Sequence, residues 1–301
     1  MTGSSRISPP TSTSWSTSDP SATHRLGGLV RVVHPFPSLL DGLVVAAVAT
    51  LAGARGWPDA LMLGLSMTLL QFAIGALNDV HDAPSDGGRV PPKPIPSGRI
   101  SADQARLVVV ATAAGGLLIA ASHGTGLLLL AGLVLVIGFG YDLIARGTAW
   151  SWLPFALGIP VLPVFGWFGV TGEMPVWALA LVPAAACAGA ALALANARAD
   201  AERDGLTGVV TIATRLGDAG SRTMLVVGWA GAAVIALGWL VGGRADLRSL
   251  AAVLLACLVI GLGVAFGWRG SATRLEWAWR IQAIGAALTA VTWLAAALAL
   301  A

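Results

Sequence analysis

Residues 78–101 read Asn78-Asp79-Val80-His81-Asp82-Ala83-Pro84-Ser85-Asp86-Gly87-Gly88-Arg89-Val90-Pro91-Pro92-Lys93-Pro94-Ile95-Pro96-Ser97-Gly98-Arg99-Ile100-Ser101. An acidic run is followed by a basic, proline-stiffened run, and both hang off the end of a stretch that is otherwise hydrocarbon. A second acidic run with the same internal spacing stands at Asn196, Asp200 and Asp204. Of the 15 Asp and Glu residues in the 301-residue chain, six (Asp79, Asp82, Asp86, Asp200, Glu202, Asp204) fall within 78–86 and 196–204. Those two windows cover 18 positions, where an even spread would put about one.

Around these clusters the chain is 56% hydrophobic and only 11% charged, with a mean hydropathy of +0.79. Soluble domains carry about 25% charged residues, so the composition points to an all-α, polytopic membrane protein. A spanning helix takes about 20 mostly apolar residues. Nine runs qualify: 36–55, 60–80, 103–122, 125–143, 150–170, 175–195, 219–241, 247–267 and 277–299. The fifth carries Pro154, Pro160 and Pro163 and is expected to bend. Residues 1–33 are rich in Ser, Thr and Pro and lack the apolar core of a signal peptide. They read as a disordered cytoplasmic tail preceding a nine-helix domain over 34–301. Cys187 and Cys257 both lie in apolar runs and read as small packed residues rather than a disulfide or metal pair.

With the N-terminus inside, the inner segments hold fifteen Lys and Arg residues and the outer loops only Arg55, Arg244 and Arg248. This bias places the N-terminus and both acidic clusters on the cytoplasmic side of a cell (inner) membrane, and the C-terminus outside. Each cluster begins at the cytoplasmic end of a span, the second or the sixth. Each is followed by a glycine and, three residues on, a hydroxyl: Gly98 and Ser101, then Gly208 and Thr211. This is a weak internal repeat, and bundles built from two related halves place shared sites between them.

A four-residue spacing stacks side chains on one helical face, so Asn78 lies over Asp82, and Asn196 over Asp200 over Asp204. Pro84 disfavours helix at the residue before it, which leaves Asp86 in a loop able to curl back. A helix C-terminus carries partial negative charge, so carboxylates there cost about 0.3–1 kcal/mol each and repel one another. They call for a cation. Oxygen ligands, with only His81 nearby, suit a hard ion such as Mg²⁺, which binds through a few carboxylates plus substrate phosphate oxygens. Arg89, Lys93, Arg99, Arg198 and Arg203 supply the positive charge a phosphate also needs. The competing reading is solvated loop charge paired with neighbouring arginines. Asp41, near the start of the first span, reads as an N-terminal helix charge.

These residues resemble a known family. Asn78-x3-Asp82-x3-Asp86, the downstream Lys93-Pro-Ile-Pro-Ser-Gly-Arg-Ile-Ser, and Asn196-x3-Asp200-x3-Asp204-Gly followed by Thr211 and Leu216-Gly217 are similar to the two aspartate-rich motifs of the UbiA superfamily of intramembrane prenyltransferases. The resemblance runs from about residue 35 to the end. It implies a bundle with a central cavity, in which Mg²⁺ held between the motifs binds a polyprenyl diphosphate. Diphosphate departs, and an acceptor captures the prenyl group. Carried over by position, Asn78, Asp82, Asp86, Asn196, Asp200 and Asp204 would hold the metal, with Asp82, Asp86, Asp200 and Asp204 as the catalytic carboxylates. Asn78, Lys93, Arg89, Asn196 and Arg203 would bind diphosphate, with Asp79 adjacent. The acceptor expected is a small aromatic or quinone precursor; terpene cyclisation and transfer to a non-aromatic lipid are the alternatives. The other expected partner is the bilayer, and no nucleic acid is expected. One departure concerns the acceptor side: many aromatic-substrate members of that family have Tyr-x3-Lys after helix four, whereas Tyr141-Asp142-Leu143-Ile144-Ala145-Arg146 is Tyr-x4-Arg. Tyr141, Asp142 and Arg146 are the acceptor-side candidates.

Overall fold

The structure, a computed structural model, describes residues 22–88 and 91–300. Among them it is entirely helical: α1 (Ala22–Val32), α2 (Pro35–Leu51), α3 (Trp57–Asp82), α4 (Ala102–Ser122), α5 (Thr125–Gly140), α6 (Leu153–Thr171), α7 (Leu181–Thr207), α8 (Ile212–Gly242), α9 (Leu247–Phe266) and α10 (Ala272–Leu298). A five-residue π-helical turn, Tyr141–Ala145, continues α5, and a 3₁₀ turn, Val176–Ala180, precedes α7. Eight helices are long and apolar enough to cross a bilayer, and α1 with α2, bent by 54°, make a ninth. The protein is a multi-pass membrane protein, and α2 to α10 correspond to the nine expected spans.

The tail reading extended too far. Residues 1–21 lie outside the described residues, but Ala22–Val32 is helix. Its polar sequence hides one apolar edge: Val32 is fully buried with Ala76, Ile100 and Ala105. The fifth span is one continuous helix. Pro154 sits in its first turn, where proline costs nothing, while Pro160 and Pro163 are buried inside it.

In a bilayer, apolar burial does not drive helix pairing, so close packing of small residues must. At the α2–α3 crossing a Cβ on Gly42 would stand 2.7 Å from the Gly64 carbonyl oxygen. At the α9–α10 crossing a Cβ on Gly285 would stand 2.8 Å from the Ile260 nitrogen. Ser66 Oγ donates to the Gly116 carbonyl (2.8 Å), tying α3 to α4.

The weak repeat has a structural basis in both halves. Gly98 (φ 70°) and Gly208 (φ 74°) take the left-handed conformation that glycine adopts at little cost. The hydroxyls three residues later cap the next helix. Ser101 Oγ accepts from the Gln104 N–H (3.1 Å) while Gln104 Oε1 accepts from the Ser101 N–H (2.9 Å). Thr211 and Thr214 form the same reciprocal pair at the start of α8. Gly217 (φ 64°, ψ 178°) then interrupts α8, and the polar Thr214, Arg215 and Asp218 before and beside it are why the apolar run located that span only from 219.

Candidate active site

The acidic runs occupy the ends of α3 and α7, on the same side of the bundle. Asn78, Asp79 and Asp82 lie in the last turns of α3. The chain then turns back, with the Asp86 N–H donating to the Asp82 carbonyl (2.9 Å), and Asp86 ends 5% exposed. On α7, Asp200 and Asp204 are one turn apart, with half-buried Asn196 one turn further into the bundle.

Among the described residues, the Arg203 side chain joins the two runs. The Arg203 guanidinium lies 3.6 Å from Asp86 Oδ1, 3.8 Å from Asp200 Oδ2 and 3.8 Å from Asp204 Oδ1. A cation therefore bridges the first motif to the second. A parallel arrangement surrounds Asp82, whose Oδ2 is 2.5 Å from Arg146 Nη1. Burial opposes the Arg146 charge, yet Tyr141, Asp82 and Asp142 hold its pKa above the ordinary guanidinium value. Asn78 Nδ2 donates to Asp142 Oδ1 (2.9 Å). Asp79 pairs with the Lys93 ammonium and has His34 Nε2 at 2.9 Å.

The structure thus gathers both motifs, Lys93, Arg203 and the three acceptor-side candidates into one neighbourhood. Arg89 lies outside the described residues. The carboxylates of the first run are buried, unlike the solvated loop charge of the competing reading: Asp79, Asp82 and Asp86 are 2%, 9% and 5% exposed. Arg146, one of the acceptor-side candidates, pairs with Asp82 of the first motif. His34 was not singled out in the sequence; its only signal is its place before Pro35-Phe-Pro37, and its role follows from the left-handed turn (φ 48°) that aims it at Asp79.

The Tyr-x4-Arg spacing also has a structural explanation. The Arg146 N–H donates to the Tyr141 carbonyl (2.8 Å), an i to i+5 bond that closes the π turn. A π turn takes one residue more than an α turn. Arg146 therefore stands over Tyr141 as the fourth residue on would in an α-helix. The ring of Tyr141 packs edge-on against Phe155 (5.3 Å).

The donor set suits a magnesium ion in chemistry. The carboxylates and carboxamides of the two motifs offer oxygen, and beside them Oδ2 of Asp79 and of Asp142 are buried without a hydrogen-bond partner among the described residues. Among those residues no three Asp, Glu, His or Cys side chains converge as a cage. Mg²⁺ does not demand one, since it binds through one or two carboxylates and completes its shell with water and substrate phosphate. Arg203 and Arg146 stand at the carboxylates such an ion would use.

A cavity of about 830 Å³ lies deeper in the bundle, between α2, α6, α7, α8, α9 and α10. Its walls are mostly alanine and branched aliphatic side chains, with Ala184, Ala188, Ala233 and Ala286 providing the width. Asp41 is the one acidic side chain that lines it.

An all-helical membrane bundle with paired carboxamide–carboxylate motifs at one end and an apolar cavity beneath them defines a class of intramembrane enzymes acting on isoprenoid diphosphates. Residues 42–284 match the UbiA prenyltransferase family, and the chain belongs to that family. It is similar to the structure of a UbiA homolog from Aeropyrum pernix K1, at 22% identity, covering 90% of this chain and 98% of that one with a TM-score of 0.69. A UbiA homolog from Archaeoglobus fulgidus bound to GPP and Mg²⁺ is similar at 19% identity, covering 91% and 99%, with a TM-score of 0.67. A digeranylgeranylglyceryl phosphate synthase from Methanoculleus marisnigri is 30% identical over 95 residues. That match takes in 32% of this chain and spans about a third (34%) of the relative's length.

Proposed function

We propose that this protein is a Mg²⁺-dependent prenyltransferase. It takes a polyprenyl diphosphate at the cytoplasmic end of the bundle and transfers the prenyl group to an aromatic or quinone-precursor acceptor. The observation that carries this reading is the Arg203 bridge, which brings Asp86 of one motif to Asp200 and Asp204 of the other above an apolar cavity.

Asp82, Asp86, Asp200 and Asp204, with Asn78 and Asn196, are the residues that would hold magnesium. When bound, the ion supplies positive charge to the departing diphosphate. The chain's own part begins with Lys93 and Arg203, cations set against the leaving group so that charge developing on it is met by fixed charge. His34 and Asp79 orient Lys93. The C1–oxygen bond of the donor breaks, and diphosphate leaves with the electron pair. The apolar walls keep water from the allylic cation. The acceptor carbon bonds C1 and loses its proton. Asp142, whose Oδ2 has no hydrogen-bond partner among the described residues, is the group at hand for that proton, with Tyr141 beside it. The Lys and Arg bias supports an inner-membrane orientation with the N-terminus and this site cytoplasmic.

A second reading, transfer to a lipid alcohol, is favoured by the local similarity to a digeranylgeranylglyceryl phosphate synthase and by Arg146 standing where many aromatic-substrate relatives have lysine. One assay separates the readings. Purified protein in detergent is given geranyl, farnesyl or geranylgeranyl diphosphate with Mg²⁺ or EDTA. The expected result is diphosphate release that needs Mg²⁺ and an aromatic acid or quinone precursor. Release driven only by glycerol-lipid acceptors would establish the second reading. Mg²⁺-dependent release without acceptor, giving cyclic products, would mean a cyclase.

A further inference from the structure

Asp41 is the group in this molecule that the proposed chemistry leaves unused. It is the seventh residue of α2, beyond the first turn, so interaction with the helix N-terminus does not account for it. It is half-buried and lines the apolar cavity. Among the described residues no hydrogen bond or ion pair reaches its carboxyl. The neighbouring polar groups in the wall are already engaged: Trp229 Nε1 donates to Gln282 Oε1 (2.8 Å) and Thr289 Oγ1 to the Gly285 carbonyl (2.8 Å).

Its depth follows from packing. Gly42, the next residue, abuts Gly64 and Thr68 of α3. Thr68 is ten residues from Asn78, which at 1.5 Å per residue puts Asp41 about 15 Å below the acidic site. An acidic side chain inside a membrane span is costly and is kept where it contacts something polar. A plain hydrocarbon tail passing this point would cover the carboxyl and satisfy none of its oxygens. A hydroxyl both donates and accepts, so it satisfies the carboxyl in either protonation state.

We propose that the cavity is a binding site for a hydroxyl-bearing lipid chain, an isoprenoid or aliphatic alcohol, whose hydroxyl hydrogen-bonds Asp41. The chain lies along the alanine walls and the hydroxyl meets the carboxyl partway down. The proposal rests on the cavity that also serves the prenyl transfer; the hydroxyl contact at Asp41 goes beyond that chemistry and does not need metal or diphosphate to form.

The test uses the full-length protein in detergent with EDTA and no diphosphate, so its outcome is separate from that of the transferase assay. Farnesol and its hydrocarbon counterpart farnesene are titrated, and retention is read by native mass spectrometry. Wild-type protein is expected to hold farnesol about tenfold more tightly than farnesene, the worth of one hydrogen bond. Asp41→Leu should abolish that preference while keeping farnesene binding, and Asp41→Asn should retain part of it. Ala188→Phe, which fills the cavity, should weaken both ligands. Equal affinity for the two ligands in the wild-type protein would overturn the proposal without any variant. So would a preference that survives Asp41→Leu, or farnesol binding indifferent to Ala188→Phe.

Discussion

Asp82 illustrates how much one carboxylate is asked to do. It is 9% exposed and paired with Arg146 at 2.5 Å. Removing one partner of a buried pair costs about 3–5 kcal/mol, because the other charge stays behind. Asp82→Ala would therefore confound chemistry with folding. Asp82→Asn keeps the shape and loses the charge, and Asp200→Asn does the same at a more open position (34% exposed). Each is expected to lower turnover by at least about a hundredfold, a factor on the scale of losing one preorganised electrostatic contact to a reacting group; the melting temperature should stay within a few degrees in Asp200→Asn and fall further in Asp82→Asn, which leaves the Arg146 charge without its partner. Near-wild-type turnover in either variant would remove the carboxylates from the reaction. The shared face of these residues was legible from spacing, since Asn-x3-Asp-x3-Asp stacks side chains along one side of a helix. Their burial was not, because it comes from Asp86 folding back and from arginines 60 or more positions away in the chain.

At the scale of elements, the turn after α5 is the informative piece. Tyr141–Ala145 is wound as π-helix, and Ile144 within it is 78% exposed. If the extra residue is absorbed by that winding, deleting Ile144 should let the turn close as α-helix with Arg146 still on Asp82. Activity should then stay within about tenfold of wild type, whereas inserting an alanine after Ile144 should move Arg146 by roughly 100° and abolish it. Loss of activity in both would mean that the π turn itself, and not the Tyr141–Arg146 register, is required. The one-residue discrepancy was visible in the sequence. Its resolution needed a hydrogen bond from residue 146 to residue 141, which no side-chain pattern encodes.

At the scale of the molecule, orientation is set by charge. The segments proposed to face the cytoplasm carry fifteen of the 18 Lys and Arg residues. A single cysteine placed at Gly243, between α8 and α9, should react with a membrane-impermeant thiol reagent in intact cells, in a background lacking Cys187 and Cys257. One placed at Ser97, between α3 and α4, should react only after the cells are opened. The reverse pattern would invert the topology and put the candidate site outside.

Composition, the 20-residue apolar runs and the two spaced acidic motifs by themselves determined an all-helical membrane bundle with an acidic cluster at the end of each of two helices. These are properties of single elements, written in local periodicity and charge. Tertiary structure alone decided that α1 belongs to the fold, that Arg203 bridges the motifs, that His34 and Lys93 share Asp79, and that Asp41 faces a cavity. Each depends on which helix face meets which neighbour. In a bilayer that choice is made by the close approach of small residues such as Gly42, Gly64 and Gly285, not by the hydrophobic pattern that the spans all share.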